Sequence, residues 1–196
     1  MTRRYAKNLP TIWLMTDERV GKAALLAAVE RLPRGKAGIV FRHYRTGRTE
    51  RRALFDQIAA LAQRRRLVLM LAGSAREAAA WRADGWHGRD GRRAARRLLH
   101  SMPVHGAREL VAASRMRADF LFLSPLFPTR SHPGGRALGR PRFAALAKQA
   151  DMPVFALGGI RPEHRRLLPT IGAYGWAAID GLIHQDGGQA WSIARS

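Results

Sequence analysis

Short apolar runs rich in β-branched and aromatic residues alternate along the chain with longer Ala/Leu/Arg segments whose apolar positions recur at helical spacing. Such alternation predicts βα units feeding a parallel sheet. Eight strands are expected, at 12–16, 38–42, 67–71, 85–87, 102–105, 119–124, 154–157 and 176–179. Between them the helical period predicts helices over 22–31, 48–64, 75–82, 89–99, 107–115, 142–150 and 162–168, with a last short one near Gly188. Ser74, ahead of Ala75-Arg76-Glu77, has the form of an N-cap with acid in the first turn, and Pro162 stands where a first-turn proline is tolerated. Eight units within 196 residues predict a compact single-domain (β/α)8 TIM barrel, spanning 1–196, with short helices and few insertions. Without the two weakest strands, 85–87 and 102–105, a flavodoxin-like open sheet is the alternative.

Composition narrows the class. With 46% hydrophobic residues the chain can build one sizeable core. No N-terminal signal pattern and no membrane-length apolar run stands in the sequence, so a soluble, cytoplasmic protein is expected. The absence of cysteine excludes disulfides, thiolate nucleophiles and Cys-ligated metal. A net charge of +21 invites a nucleic-acid reading. Yet the arginines are scattered over the predicted helices (Arg51/Arg52, Arg64 to Arg66, Arg92/Arg93, Arg96/Arg97, Arg165/Arg166), as solvated helix faces would be, and no aromatic residues interleave with them as a binding platform. A nucleic-acid partner is therefore not expected, and an anionic small molecule needs only a few of these cations.

Two segments carry candidate chemistry. In the first, the strand ending Leu121-Phe122-Leu123-Ser124 runs directly into Pro125-Leu126-Phe127-Pro128-Thr129-Arg130-Ser131-His132-Pro133-Gly134-Gly135. In a barrel this loop lies on the C-terminal, active-site face. The hydroxyls of Thr129 and Ser131 can donate to phosphate oxygens, Arg130 can grip them in a fork, and His132 can add charge or exchange a proton. In the second, Pro153-Val154-Phe155-Ala156-Leu157 leads into Gly158-Gly159-Ile160 and a helix starting at proline, a form that brings backbone N–H groups close to an anion. After the last strand, Asp180-Gly181 supplies a facing loop, and loops seven and eight are the usual phosphate site of such barrels.

The order Ser-Pro-Leu-Phe-Pro-Thr-Arg-Ser-His, Leu138-Gly139, Pro-Val-Phe-Ala-Leu-Gly-Gly-Ile resembles the second half of the thiamine phosphate synthase and thiazole tautomerase superfamily. The resemblance reaches back through Arg117-Ala118-Asp119, Val104-His105 and Ala83-Asp84-Gly85-Trp86-His87 to Leu14-Met15-Thr16-Asp17. It implies an enzyme of thiamine biosynthesis that joins hydroxymethylpyrimidine pyrophosphate to thiazole phosphate with loss of pyrophosphate, assisted by magnesium. It carries Arg42 and His132 over as catalytic residues, Thr129, Arg130, Ser131, Gly158, Gly159, Ile160 and Gly181 as substrate-binding, and Asp90 as the metal carboxylate.

The chain departs from the family pattern at several positions. The second-strand Gln-x-Arg-x-Lys is met by Val40, Arg42 and Tyr44, the third-strand Asn-Asp by Ala72-Gly73, and the fifth-strand serine by Pro103. Thr-x-Thr-Lys becomes Thr129-Arg130-Ser131-His132, and Asp180 replaces a small residue beside the thiazole-phosphate pocket. One carboxylate is a thin donor set for magnesium carrying pyrophosphate. The alternative is a diverged member without the transferase, acting as a tautomerase-like or phosphorylated-thiazole-binding protein. His43, His87, His105 and His132 are the candidate bases near strand ends, and Gly159→Asp is expected to abolish phosphate binding with the fold retained.

Overall fold

The computed structural model describes residues 9–90, 98–129 and 136–183. Its strands are β1 (Ile12–Met15), β2 (Ala37–Phe41), β3 (Val68–Ala72), β4 (Gly85–His87), β5 (Leu99–Val104), β6 (Phe120–Leu123), β7 (Val154–Ala156) and β8 (Gly175–Ala178). Each pairs in parallel with the next, and β8 closes on β1 to complete the barrel. The open-sheet alternative falls, because β4 and β5 pair with each other and with their outer neighbours. No described helix is long and apolar enough to cross a membrane.

The helices are α1 (Lys22–Arg31), α2 (Arg48–Arg65), α3 (Ala75–Ala80), α4 (Ala107–Arg115), α5 (Gly139–Gln149) and α6 (Asp180–Ile183). Ser74 caps α3 as expected, its hydroxyl accepting from the Glu77 N–H at 3.1 Å. Several boundaries differ from the sequence expectation, among them the start of α5 at Gly139 where 142 was expected. Strand β5 begins at Leu99, so the helix expected over 89–99 does not run to its predicted end. Leu99 pairs with Gly85 and His100 with Trp86, and sheet pairing overrides the helical spacing of the local residues. Residues 91–97 and the short helix expected near Gly188 lie outside the described residues. Instead of one α-helix over 162–168, two 3-10 turns follow β7, at Pro162–Arg166 and Pro169–Ile171. Each starts at a proline, a residue tolerated in the first turn of a helix.

The barrel interior is narrow and filled by aromatic rings. Trp13, Phe120, Phe122 and Phe155 pack with centroids 5.1–6.0 Å apart, and the Trp13 indole donates to the Pro10 carbonyl at 2.9 Å. Gly38, the register partner of Trp13, leaves the volume its ring occupies. This bulk seals the barrel below and leaves its chemistry at the strands' C-terminal ends.

Candidate active site

The C-terminal ends of β1 and β2 form one wall of the barrel mouth. Thr16, fully buried, accepts from the Arg42 N–H at 2.9 Å through Oγ1 and meets His43 Nδ1 at 3.0 Å. Arg42 continues the inward-facing series of Gly38 and Val40 and donates from Nε to the Thr16 carbonyl at 2.7 Å and from Nη2 to Asp17 Oδ2 at 3.3 Å. Asp17 is also gripped by Arg19 through Nε and Nη2, both at 2.8 Å. The Arg19 hydrogen bonds outweigh partial burial and, with Arg42 nearby, hold the Asp17 carboxyl down to about 2. Glu18 reaches across to the β2 loop and accepts from the N–H and hydroxyl of Thr46 at 3.0 and 3.2 Å and from the Arg45 N–H. These elements enclose a cleft of about 560 Å³ whose lining runs from Thr16 to Arg19 and from Arg42 to Arg45.

The next wall is closed. At the end of β3, where the sequence offers Ala72-Gly73, the space a Gly73 side chain would enter is filled by Glu77 Oε2, 2.7 Å from its notional Cβ. Glu77 Oε1 accepts from Arg51 Nη1 at 2.9 Å, and Arg51 also donates to the carbonyls of Ala72 at 2.8 Å and Arg42 at 3.1 Å. Arg51 lies over the rings of Trp81 and Phe41, so it is not part of a solvated helix face as its neighbours are. That corrects the sequence reading. Arg51 shares a stripe with Phe55, Ile58 and Ala62, and extending that stripe back one turn would have found it.

The candidate histidines separate by environment. His87 faces the interior with Nδ1 3.0 Å from Ser101 Oγ, and burial pushes it down to about 3, so it is neutral. His43 stacks on Phe41 at 4.7 Å and burial lowers it too. His105 stands at the exposed end of β5, with Nδ1 2.8 Å from Glu109 Oε2. His132, with Arg130 and Ser131, lies outside the described residues. Thr129, half-buried, is described.

At β7 the loop is built by contact with the β6 loop. The N–H groups of Leu126 and Phe127 donate to the carbonyls of Leu157 and Gly158 at 2.8 and 3.1 Å. Gly158 and Gly159 have φ of 93° and 64°, in the region that favours glycine. A Cβ on Gly159 would stand 2.5 Å from the Pro128 carbonyl oxygen. Gly159→Asp is therefore no test of binding alone: any side chain there meets backbone, and the expectation of a retained fold is withdrawn. Gly181 at the start of α6 faces the Ile160 carbonyl, a Cβ there lying 2.8 Å from it, so loops seven and eight meet as expected. Among the described residues no hydrogen bond occupies the N–H groups of Gly158, Gly159 and Ile160.

Among the described residues the donor set does not suit magnesium. Asp90, half-buried beyond β4, is the carboxylate the sequence assigns, but no three His, Asp or Glu side chains cluster among the described residues. Glu77, at the third-strand end, is already committed to Arg51.

The closed eight-stranded parallel barrel, with guanidinium groups on one side of its mouth and a glycine-built turn on another, is a (β/α)8 barrel of the α/β class. Its family follows from comparison: the chain belongs to the thiamine monophosphate synthase family (TMP-TENI), whose model matches residues 12–182. It is 27% identical over 184 residues to a putative thiamine-phosphate synthase 2 of Aquifex aeolicus (strain VF5), covering 90% of this chain and 99% of that one. It is 31% identical over 189 residues to a thiamine-phosphate synthase of Salinispora arenicola (strain CNS-205), covering 90% and 91%. A solved thiamine phosphate pyrophosphorylase from Pyrococcus furiosus shares the fold with a TM-score of 0.73 at 22% identity, covering 89% of this chain and 87% of that one.

Proposed function

We propose that this protein is a transferase that couples hydroxymethylpyrimidine pyrophosphate with thiazole phosphate to give thiamine phosphate and pyrophosphate. The observation that carries this reading is the pair of anion-receptive stations on one barrel mouth: the guanidinium groups of Arg42 and Arg45 at the β2 end, and the N–H groups of Gly158 to Ile160 at the β7 end. A reaction whose two partners each bring phosphate needs two such stations. Family membership selects this reaction from others of that type.

The chemistry asks the protein mainly to position and to neutralise charge. The bond between the pyrimidine methylene carbon and the pyrophosphate oxygen breaks with its electron pair on oxygen, and the thiazole nitrogen lone pair forms the new C–N bond. No proton leaves that nitrogen. Arg42 and Arg45 face the charge growing on the leaving pyrophosphate, with Thr129 and the following Arg130, Ser131 and His132 as further proposed contacts. The Gly158-Gly159-Ile160 loop and Gly181 hold the thiazole phosphate so that its nitrogen faces the methylene carbon. No step is assigned to a metal, given the donors among the described residues.

Calorimetric titration tests the two stations. Inorganic pyrophosphate is expected to compete with the pyrimidine pyrophosphate and to leave thiazole-phosphate binding unchanged. Mutual exclusion of inorganic pyrophosphate and thiazole phosphate would contradict the reading.

A further inference from the structure

Among the described residues the exposed large apolar side chains are Tyr44 and Val111, and Tyr44 is 66% exposed. It stands in the cleft between the β1 and β2 loops, beside Arg42 and Arg45. Its phenol makes no hydrogen bond and its ring no aromatic contact with any described residue. An exposed ring is unremarkable on a loose loop, but this loop is held on both sides. Residue 43 before it is buried, stacked on Phe41 and bonded to Thr16. Residues 45 and 46 after it are tied through their N–H groups to Glu18. The backbone beneath the side chain is thus held, and the aromatic ring lines a cleft of about 560 Å³, a size suited to a small ligand.

We propose that Tyr44 is the platform on which the heterocyclic ring of a phosphorylated aromatic substrate lies, with the Arg42 and Arg45 guanidinium groups taking its phosphate. This rests on the function proposed above, in which that substrate is the pyrimidine pyrophosphate. Ring stacking and charge are complementary: an aromatic face tolerates any flat ring, and the adjoining cations select those carrying an anion. The held loop confines the ordering that accompanies binding to the Tyr44 side chain, since the backbone is already fixed. Tyr44 is then a positioning residue, setting the plane of the pyrimidine ring and with it the direction from which its methylene carbon is attacked.

The test compares two probes on three proteins. Pyrimidine pyrophosphate and inorganic pyrophosphate are titrated calorimetrically into the unaltered protein, Tyr44→Ala and Tyr44→Phe, each checked for an unchanged melting temperature, which an exposed side chain permits. Tyr44→Ala is expected to weaken the pyrimidine pyrophosphate about tenfold and to leave inorganic pyrophosphate unchanged, and Tyr44→Phe to bind both as the unaltered protein does. Equal weakening of both probes in Tyr44→Ala, no weakening of either, or a Tyr44→Phe that behaves as Tyr44→Ala would overturn the platform. An unaltered protein that binds inorganic pyrophosphate but not the pyrimidine compound overturns the functional reading itself, and the platform with it.

Discussion

The β7 and β3 ends of the barrel both finish in glycine with positive φ, 64° at Gly159 and 154° at Gly73, yet they serve opposite ends. At β7 the glycines let the β6 loop pack against the turn, and no described residue hydrogen-bonds the N–H groups of Gly158 to Ile160. At β3 the room beside the glycine is taken by the Glu77 carboxylate, which Arg51 holds in place, and His87 lies sealed against Ser101 on the adjoining strand. The same residue type thus leaves room on one side of the mouth and lets the opposite side be plugged. What differs is the neighbour: rigid backbone from Pro128 in the first, the far end of a side chain in the second.

The largest effect that tests this contrast is expected at Gly159. Gly159→Ala combines positive-φ strain with a collision against a carbonyl that cannot step aside, and should cost about 2–4 kcal/mol in urea unfolding. Gly73→Ala meets only the Glu77 carboxylate and should cost about 1–2 kcal/mol, mostly from its φ. Equal losses would erase the distinction. Next, Arg51→Ala strands the Glu77 carboxylate and the Ala72 and Arg42 carbonyls, and a loss of about 2–3 kcal/mol is expected. A neutral result would mean that the plug contributes nothing to the closed quarter.

The pH dependence of stability probes the same quarter. His87 titrates at about 3 in the folded chain, against an ordinary value of 6.5, so the unfolded chain binds the extra proton. Its contribution is fully present above pH 6.5 and is lost progressively as pH falls toward 3, by on the order of a few kcal/mol. His87→Gln keeps a hydrogen-bonding partner for Ser101 and should flatten the stability profile between those values. An unchanged acid slope would show that His87 is not sealed. The smallest effect expected is that of Tyr44→Ala, confined to the affinity for a ring-bearing ligand.

The strand sequence was legible because each buried strand is a short apolar run beside a helix-period segment. Even the three-residue β4 could be placed, from Gly85-Trp86-His87. Strand β5 was read three residues short because Leu99 and His100 continue the spacing of the preceding arginine-rich segment, and only pairing with β4 decides their state. The glycine loop at β7 was found, but not the reason that its second glycine must stay: Pro128 arrives from another loop. Arg51 was hidden by its partner Arg52, which is exposed and pairs with Asp56. Arg19 and Glu18, which shape the first wall, follow Asp17 without any motif to mark them, and Tyr44 read as a lost lysine. Its value as a face emerges only from the loop that holds it.

The central claim is most directly tested by incubating purified protein with hydroxymethylpyrimidine pyrophosphate and thiazole phosphate and measuring thiamine phosphate and pyrophosphate by chromatography, in magnesium and in chelator. The account predicts equimolar formation of both products, depending on both substrates and lost in Arg42→Ala. Saturable binding of both substrates with no product under either condition would contradict it.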